Sequence, residues 1–152
     1  MNPGKMFEAD MKASLQKENL FVLRLKDDAV NFRQRSDNLC DFLVYQATYL
    51  YLLELKSYKG ASIPLAKLTQ FSGLIAYEAY QGICPLFVLN FRDFEETYCL
   101  SPSQLLLIND RKSISLAFAR KHGVKLPQTR KRTRYTYYFS KILGGLNYVS
   151  IC

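Results

Sequence analysis

The sequence predicts a single α/β domain, with one mixed β-sheet flanked by helices. Three observations predict it. Phe7, Met11 and Leu15 repeat every four residues, as on one face of a helix. Runs rich in aliphatic and aromatic residues recur at 20–25, 41–45, 49–56 and 83–91, each bounded by polar or turn-forming segments. Helical patterns alternate with these runs along a chain of 152 residues, which suits one domain and is short for two.

Taken in order, residues 4–18 are expected as a helix and 20–25 (LFVLRL) as a strand. The polar stretch 26–39 is expected as a loop or short hairpin. Residues 41–45 and 49–56 follow as strands around 46–48, a hairpin. The second of these is apolar on both faces until Glu54, as in a central strand buried on both sides. SYKGAS at 57–62 reads as a turn. Pro64 is placed in the first turn of a helix that ends near Gly82, with Gly73 weakening it. ICPLFVLNF at 83–91 is a buried strand, and Pro85 requires an edge or bulge near its start. A short strand is expected at 97–100. Ser101-Pro102-Ser103-Gln104 then resembles a capping box opening a helix at 104–108. A helix at 115–121 ends at Gly123, and a last strand covers 134–139. His122, beside Gly123, fits a helix C-terminus better than a catalytic role. The tyrosines between Tyr45 and Tyr58 read as packing.

The formal net charge is +8, and the sequence pI is about 9.4. A basic surface favours polyanions, because neutralised phosphates release counterions; the ordinary alternative is solubility alone. Cys40, Cys84, Cys99 and Cys152 form no CxxC pair, and His122 is the single histidine, which argues against structural zinc. Cys84 and Cys99 lie in apolar runs, so buried free thiols suit the pattern better than disulfides. No signal peptide, membrane span or small organic cofactor is expected, and the cytoplasm is the expected location.

The informative fragment is Asp41 followed, across a hairpin, by Glu54-Leu55-Lys56. Side chains two apart on a strand share a face, at about 7 Å along the backbone. The hairpin can return Asp41 to the side of Glu54. Two acids and a lysine at the end of a hydrophobic strand need compensation. A divalent cation supplies it, and all-oxygen ligation by Asp41, Glu54 and the Leu55 carbonyl suits Mg²⁺ or Mn²⁺. Such a metal polarises a phosphodiester and acidifies water, with Lys56 orienting that water or stabilising the transition state. The ordinary alternative is a Glu–Lys pair on an exposed strand, with Asp41 an unrelated turn residue.

With these residues in view, the chain resembles the RecU-type Holliday junction resolvases, which are restriction-endonuclease-like nucleases with a D…ExK core. Gly4-Lys5-Met6-Phe7-Glu8 resembles the family's first helix and its acidic residue. Cys40-Asp41-Phe42 and Leu53-Glu54-Leu55-Lys56-Ser57 resemble its metal-binding core. Gly60-Ala61-Ser62-Ile63-Pro64-Leu65, Gly82-Ile83-Cys84, Val88-Leu89-Asn90-Phe91, Thr97-Tyr98-Cys99-Leu100, Arg111-Lys112-Ser113-Ile114 and His122-Gly123-Val124-Lys125-Leu126-Pro127 continue the likeness in order. The resemblance implies a restriction-endonuclease-like central mixed sheet, a homodimer, four-way DNA junctions as substrate, and symmetric Mg²⁺-dependent incisions in recombination. It implies a supporting role for Glu8, otherwise a first-turn helix glutamate. It implies another for Gln70, which stands slightly early in register. It also equates 26–39 with a shortened stalk. The compact length resembles phage-encoded relatives, pointing to a bacterial or phage-infected cell.

DNA contacts are expected from Arg33 and Arg35 in the stalk-like segment and from Lys59 and Lys67 beside the site. A further set is Arg130, Lys131, Arg132 and Arg134, interleaved with tyrosines. The alternative for the last group is a solvated basic loop. Three other functions stay open: a nuclease on ordinary duplex DNA, a DNA-binding or annealing protein that does not cut, and a basic regulator of another protein.

Overall fold

A computed structural model describes residues 2–25, 38–108 and 112–143. Helix α1 (Pro3–Lys17) starts where expected: Asn2 caps it by accepting from the Gly4 N–H at 2.8 Å, and Pro3 occupies its first turn. Its buried face is Phe7, Asp10, Met11, Ser14 and Leu15, the predicted stripe with two polar members. Strand β1 (Phe21–Arg24) follows, then β2 (Phe42–Gln46) and β3 (Tyr49–Tyr58), an antiparallel hairpin as predicted. Residues 26–37 of the stalk-like segment 26–39 lie outside the described residues.

Between β3 and the next long strand the prediction fails. No single helix runs from Pro64 to Gly82. The chain forms a short strand β4 (Ser62–Pro64), a 3-10 turn (Leu65–Lys67) and a brief helix α2 (Phe71–Tyr77). Strand β7 (Ser113–Ser115) pairs with β4 and claims Pro64 for extended backbone, with Ile63 opposite Ile114. Gly60 and Gly82 both have φ above +80°, so the chain reverses at each.

Strand β5 (Ile83–Phe91) then runs parallel to β3, with Glu54 opposite Phe87 and Lys56 opposite Leu89. The Leu50 N–H binds the Gly82 carbonyl, so the even-numbered main-chain groups of β5 face β3 and Pro85 faces the other way. There β6 (Glu96–Leu100) pairs only from Phe87 onward, so the missing proline N–H falls on open edge, as its position demanded. Helix α3 (Pro102–Leu105) opens at the predicted capping box, with Ser101 and Gln104 reciprocally bonded, although it begins and ends earlier than 104–108. Helix α4 (Leu116–His122) is capped by Ser115 and ends at Gly123, where a Cβ would meet the Ala119 carbonyl at 2.7 Å. Strand β8 (Val124–Lys125) closes the main sheet, ordered β1-β2-β3-β5-β6-β8. The last predicted strand is β10 (Arg134–Tyr137), which joins β9 (Gln128–Lys131) in a separate hairpin.

Two apolar layers cover the sheet. One gathers Phe7, Met11 and Leu15 of α1 with Tyr51, Leu53 and Leu55 of β3 and Tyr137 and Phe139 beyond. The other gathers Leu52, Phe87 and Leu89 with Leu74, Leu105, Leu116 and Ala119 from α2, α3 and α4. The result is a central mixed sheet between helices, as predicted. Cys40, Cys84 and Cys99 are buried free thiols. Among the described residues no helix is long and apolar enough to cross a membrane.

Candidate active site

Asp41 immediately precedes β2, and Glu54 and Lys56 lie in the last half of β3. The hairpin register puts Phe42 opposite Leu53, and Asp41 stands one residue ahead of Phe42, at the end of the ladder where Glu54 follows Leu53. The Asp41 N–H binds the Leu53 carbonyl at 2.9 Å, and its carboxylate Oδ2 accepts the Leu55 N–H at 2.7 Å. The acid therefore closes the end of the β2–β3 ladder with its own side chain. On a strand the N–H and C=O of one residue point the same way, so the Leu55 carbonyl also faces Asp41, beyond the last main-chain partner in β2.

Glu54 is only 4% exposed. The Lys56 ammonium lies 3.2 Å from Glu54 Oε1, as the two-residue spacing on one strand face predicted. Burial pushes the Glu54 carboxyl up to about 7, and the Asp41 charge pushes it the same way; Lys56 opposes both. Cys40 registers the same cluster. Its thiol is pushed up to about 12, first by burial, then by the charges of Glu54 and Asp41.

Glu8, on α1, adds its charge to the rise at Glu54 and forms an ion pair with Arg24 Nη2 at 2.8 Å. Gln70 takes the N-cap position of α2, and its amide donates to the Asn38 carbonyl at 3.0 Å. It thus steadies the chain three residues ahead of Asp41. Lys59 and Lys67 are exposed, after β3 and in the 3-10 turn respectively. Arg33 and Arg35 lie outside the described residues.

The basic hairpin divides into two kinds of cation. Arg134 Nε sits 2.6 Å from Asp10 Oδ1, and Asp10 Oδ2 accepts the Tyr135 N–H at 3.1 Å. Arg130 pairs with Glu95 at 2.8 Å and lies over the Tyr135 ring. Lys131 and Arg132 are exposed at the turn, with no ion-pair partner among the described residues. Sequence reasoning missed Asp10. Its signal was present, since an acid three residues after Phe7 falls on the apolar stripe of α1. A polar chain behind β3 was also missed. Ser57 donates to Asn90, Asn90 to Thr97, and Thr97 to Gln128, at 2.8, 3.0 and 2.7 Å.

The donor set fits a hard divalent cation. Asp41, Glu54 and the Leu55 carbonyl are all oxygen, and the Glu54 carboxyl, raised first by burial and then by the Asp41 charge, is one whose ionised form a cation would favour. Among the described residues no group of three His, Cys, Asp or Glu side chains is gathered closely enough to hold a metal. Two carboxylates and a carbonyl leave the remaining positions to water, which is the habit of Mg²⁺.

No known protein-family profile matches the chain. The SPbeta prophage-derived uncharacterized protein YotM of Bacillus subtilis is 30% identical to it, in an alignment covering 95% of this chain and 87% of that one. Among solved structures, Archaeoglobus fulgidus Hjc, a Holliday junction resolvase from an archaeal hyperthermophile, superposes with a TM-score of 0.59. That match covers 80% of this chain and 95% of Hjc at 17% identity. The shared architecture is the restriction-endonuclease-like fold.

Proposed function

We propose that this chain, which belongs to the same family as the prophage-derived protein YotM, is a metal-dependent DNA endonuclease that resolves four-way junctions in recombination. The observation that carries the reading is Glu54: a buried carboxyl beside a second acid, with a lysine 3.2 Å away on the same strand face. The fold it shares with Hjc supports the same reading, as does the charge of +8.

Asp41, Glu54 and the Leu55 carbonyl would hold Mg²⁺ or Mn²⁺. When bound, the cation supplies Lewis acidity toward the scissile phosphodiester and lowers the pKa of a bound water. The Lys56 ammonium, tethered by Glu54, orients that water and offsets the charge that builds on the non-bridging oxygens. Hydrolysis would join the water oxygen to phosphorus as one P–O ester bond breaks, with the water's proton ending on the departing sugar oxygen, leaving a phosphate monoester and a hydroxyl end. Glu8 supports the acids from α1, and Gln70 supports the approach to Asp41 through Asn38. Lys59, Lys67, Lys131 and Arg132 are proposed DNA contacts. A homodimer supplies two sites for two symmetric cuts. The expected setting is the cytoplasm of a bacterial or phage-infected cell.

The test compares a four-way junction with linear duplex of the same sequence, in Mg²⁺ or Mn²⁺, for the parent and for Asp41→Asn and Glu54→Gln. The amide introduced by Asp41→Asn keeps an oxygen for the Leu55 N–H but loses the charge. The parent should cut the junction, while both variants bind it and cut at least a hundredfold more slowly. Equal rates on duplex would remove junction selectivity and leave the nuclease. Binding without cutting by the parent would make the chain a DNA-binding module.

A further inference from the structure

Helix α1 presents a second face, opposite its buried stripe. Lys5, Lys12 and Gln16 are exposed along it and share a groove with Glu8 of α1 and Arg24 of β1. Positions 5, 12 and 16 are separated by seven and four residues, so they stack along one line of the helix. Ala9 and Ala13 lie between them, where small side chains leave a shallow floor. Lys5 and Lys12 are about 10 Å apart by helical rise, close to the axial length of three nucleotides of one DNA strand.

At one side of the groove Arg24 gives Nη2 to Glu8 at 2.8 Å, and its side chain remains 44% exposed. The guanidinium fork suits a phosphate as well as a carboxylate. Three cations against one acid give the groove a positive balance.

We propose that this groove, on the face of the sheet covered by α1, seats the sugar–phosphate backbone of bound DNA, with Lys5 and Lys12 as phosphate ligands. Arg24, held by Glu8, lines its side. The inference rests on the DNA-nuclease reading above and adds a surface, away from the catalytic residues, that holds the DNA.

The test is the salt dependence of DNA binding, which needs no metal and no turnover. Fluorescence anisotropy of a labelled four-way junction in EDTA gives log K against log salt for the full chain, Lys5→Ala/Lys12→Ala and Lys121→Ala. Lys121 is exposed on α4, outside the groove. The double variant should bind more weakly, with a slope shallower by about two, because two phosphate contacts are lost. Lys121→Ala should match the parent. Both lysines are exposed, so the fold survives; Lys5→Glu/Lys12→Glu repeats the test with a larger expected loss of affinity. A parental slope in both double variants overturns the groove while leaving the nuclease reading intact. A parent that binds no DNA overturns both.

Discussion

In Glu54 a carboxyl is raised to about 7 by burial and by the Asp41 charge, against an ordinary value of 4.5. The consequence for stability runs opposite to that of a salt-bridged surface acid. Between pH 4.5 and 7 the folded chain holds a proton that the unfolded chain has released. Stability of the metal-free protein therefore falls as pH rises through this window and levels off above it. Glu54→Gln removes the titration. It should make the metal-free protein more stable than the parent at pH 8 by about 1–3 kcal/mol, and by less at pH 5. Urea denaturation at the two pH values measures this. A difference of the same size at both would show that another group carries the effect. Mg²⁺ at pH 8 should stabilise the parent and not Glu54→Gln, because only the parent offers both acids to the ion. The core of this site was legible in the sequence, since a period of two fixes Glu54 and Lys56 on one face whatever surrounds them. The Arg24–Glu8 pair was not, because its partners belong to different elements.

For the β9–β10 hairpin, charge composition and tertiary role separate. The run from Arg130 to Arg134 reads as uniformly basic, but Arg134 is tied to Asp10, 124 residues away in sequence, and no local pattern joins them. Asp10→Ala would leave the Arg134 charge without its partner and the part-buried Tyr135 N–H without an acceptor. It should cost about 1–3 kcal/mol of stability, measurable by urea or thermal denaturation. Arg132→Ala, at the exposed turn, should leave the unfolding midpoint unchanged and weaken DNA binding uniformly across sequences. A drop in DNA affinity without any loss of stability for Arg134→Ala would reverse this division. The failed helix between Pro64 and Gly82 has the same origin. Proline fits the first turn of a helix, but pairing of Ile63 with Ile114 decides the backbone there, and that partner is fifty-one residues on. The long strands β3 and β5 were legible because burial on both faces writes itself as an unbroken apolar run.

At the scale of the whole molecule, each chain offers one constellation of Asp41, Glu54 and Lys56, and in the proposed function one constellation cuts one strand. Resolving a junction takes two cuts related by symmetry, which a two-fold dimer provides without any further catalytic part. Mixing the parent with Asp41→Asn separates a dimer from independently acting monomers. The substituted side chain retains a carbonyl oxygen for the Leu55 N–H, so the variant should fold and exchange subunits normally. If two chains act together, mixed pairs carry one competent site, and junctions cut on a single strand should accumulate as the variant is added in excess. If each chain acts alone, added variant competes only for substrate. The total rate then falls, with no rise in singly cut product relative to the fully resolved one. Denaturing and native gels of the same reaction distinguish the two, because a singly cut junction keeps its four arms on the native gel and shows one shortened strand on the other. The proposed junction reaction requires two such sites, so this ratio tests the proposed dimer without knowledge of the interface.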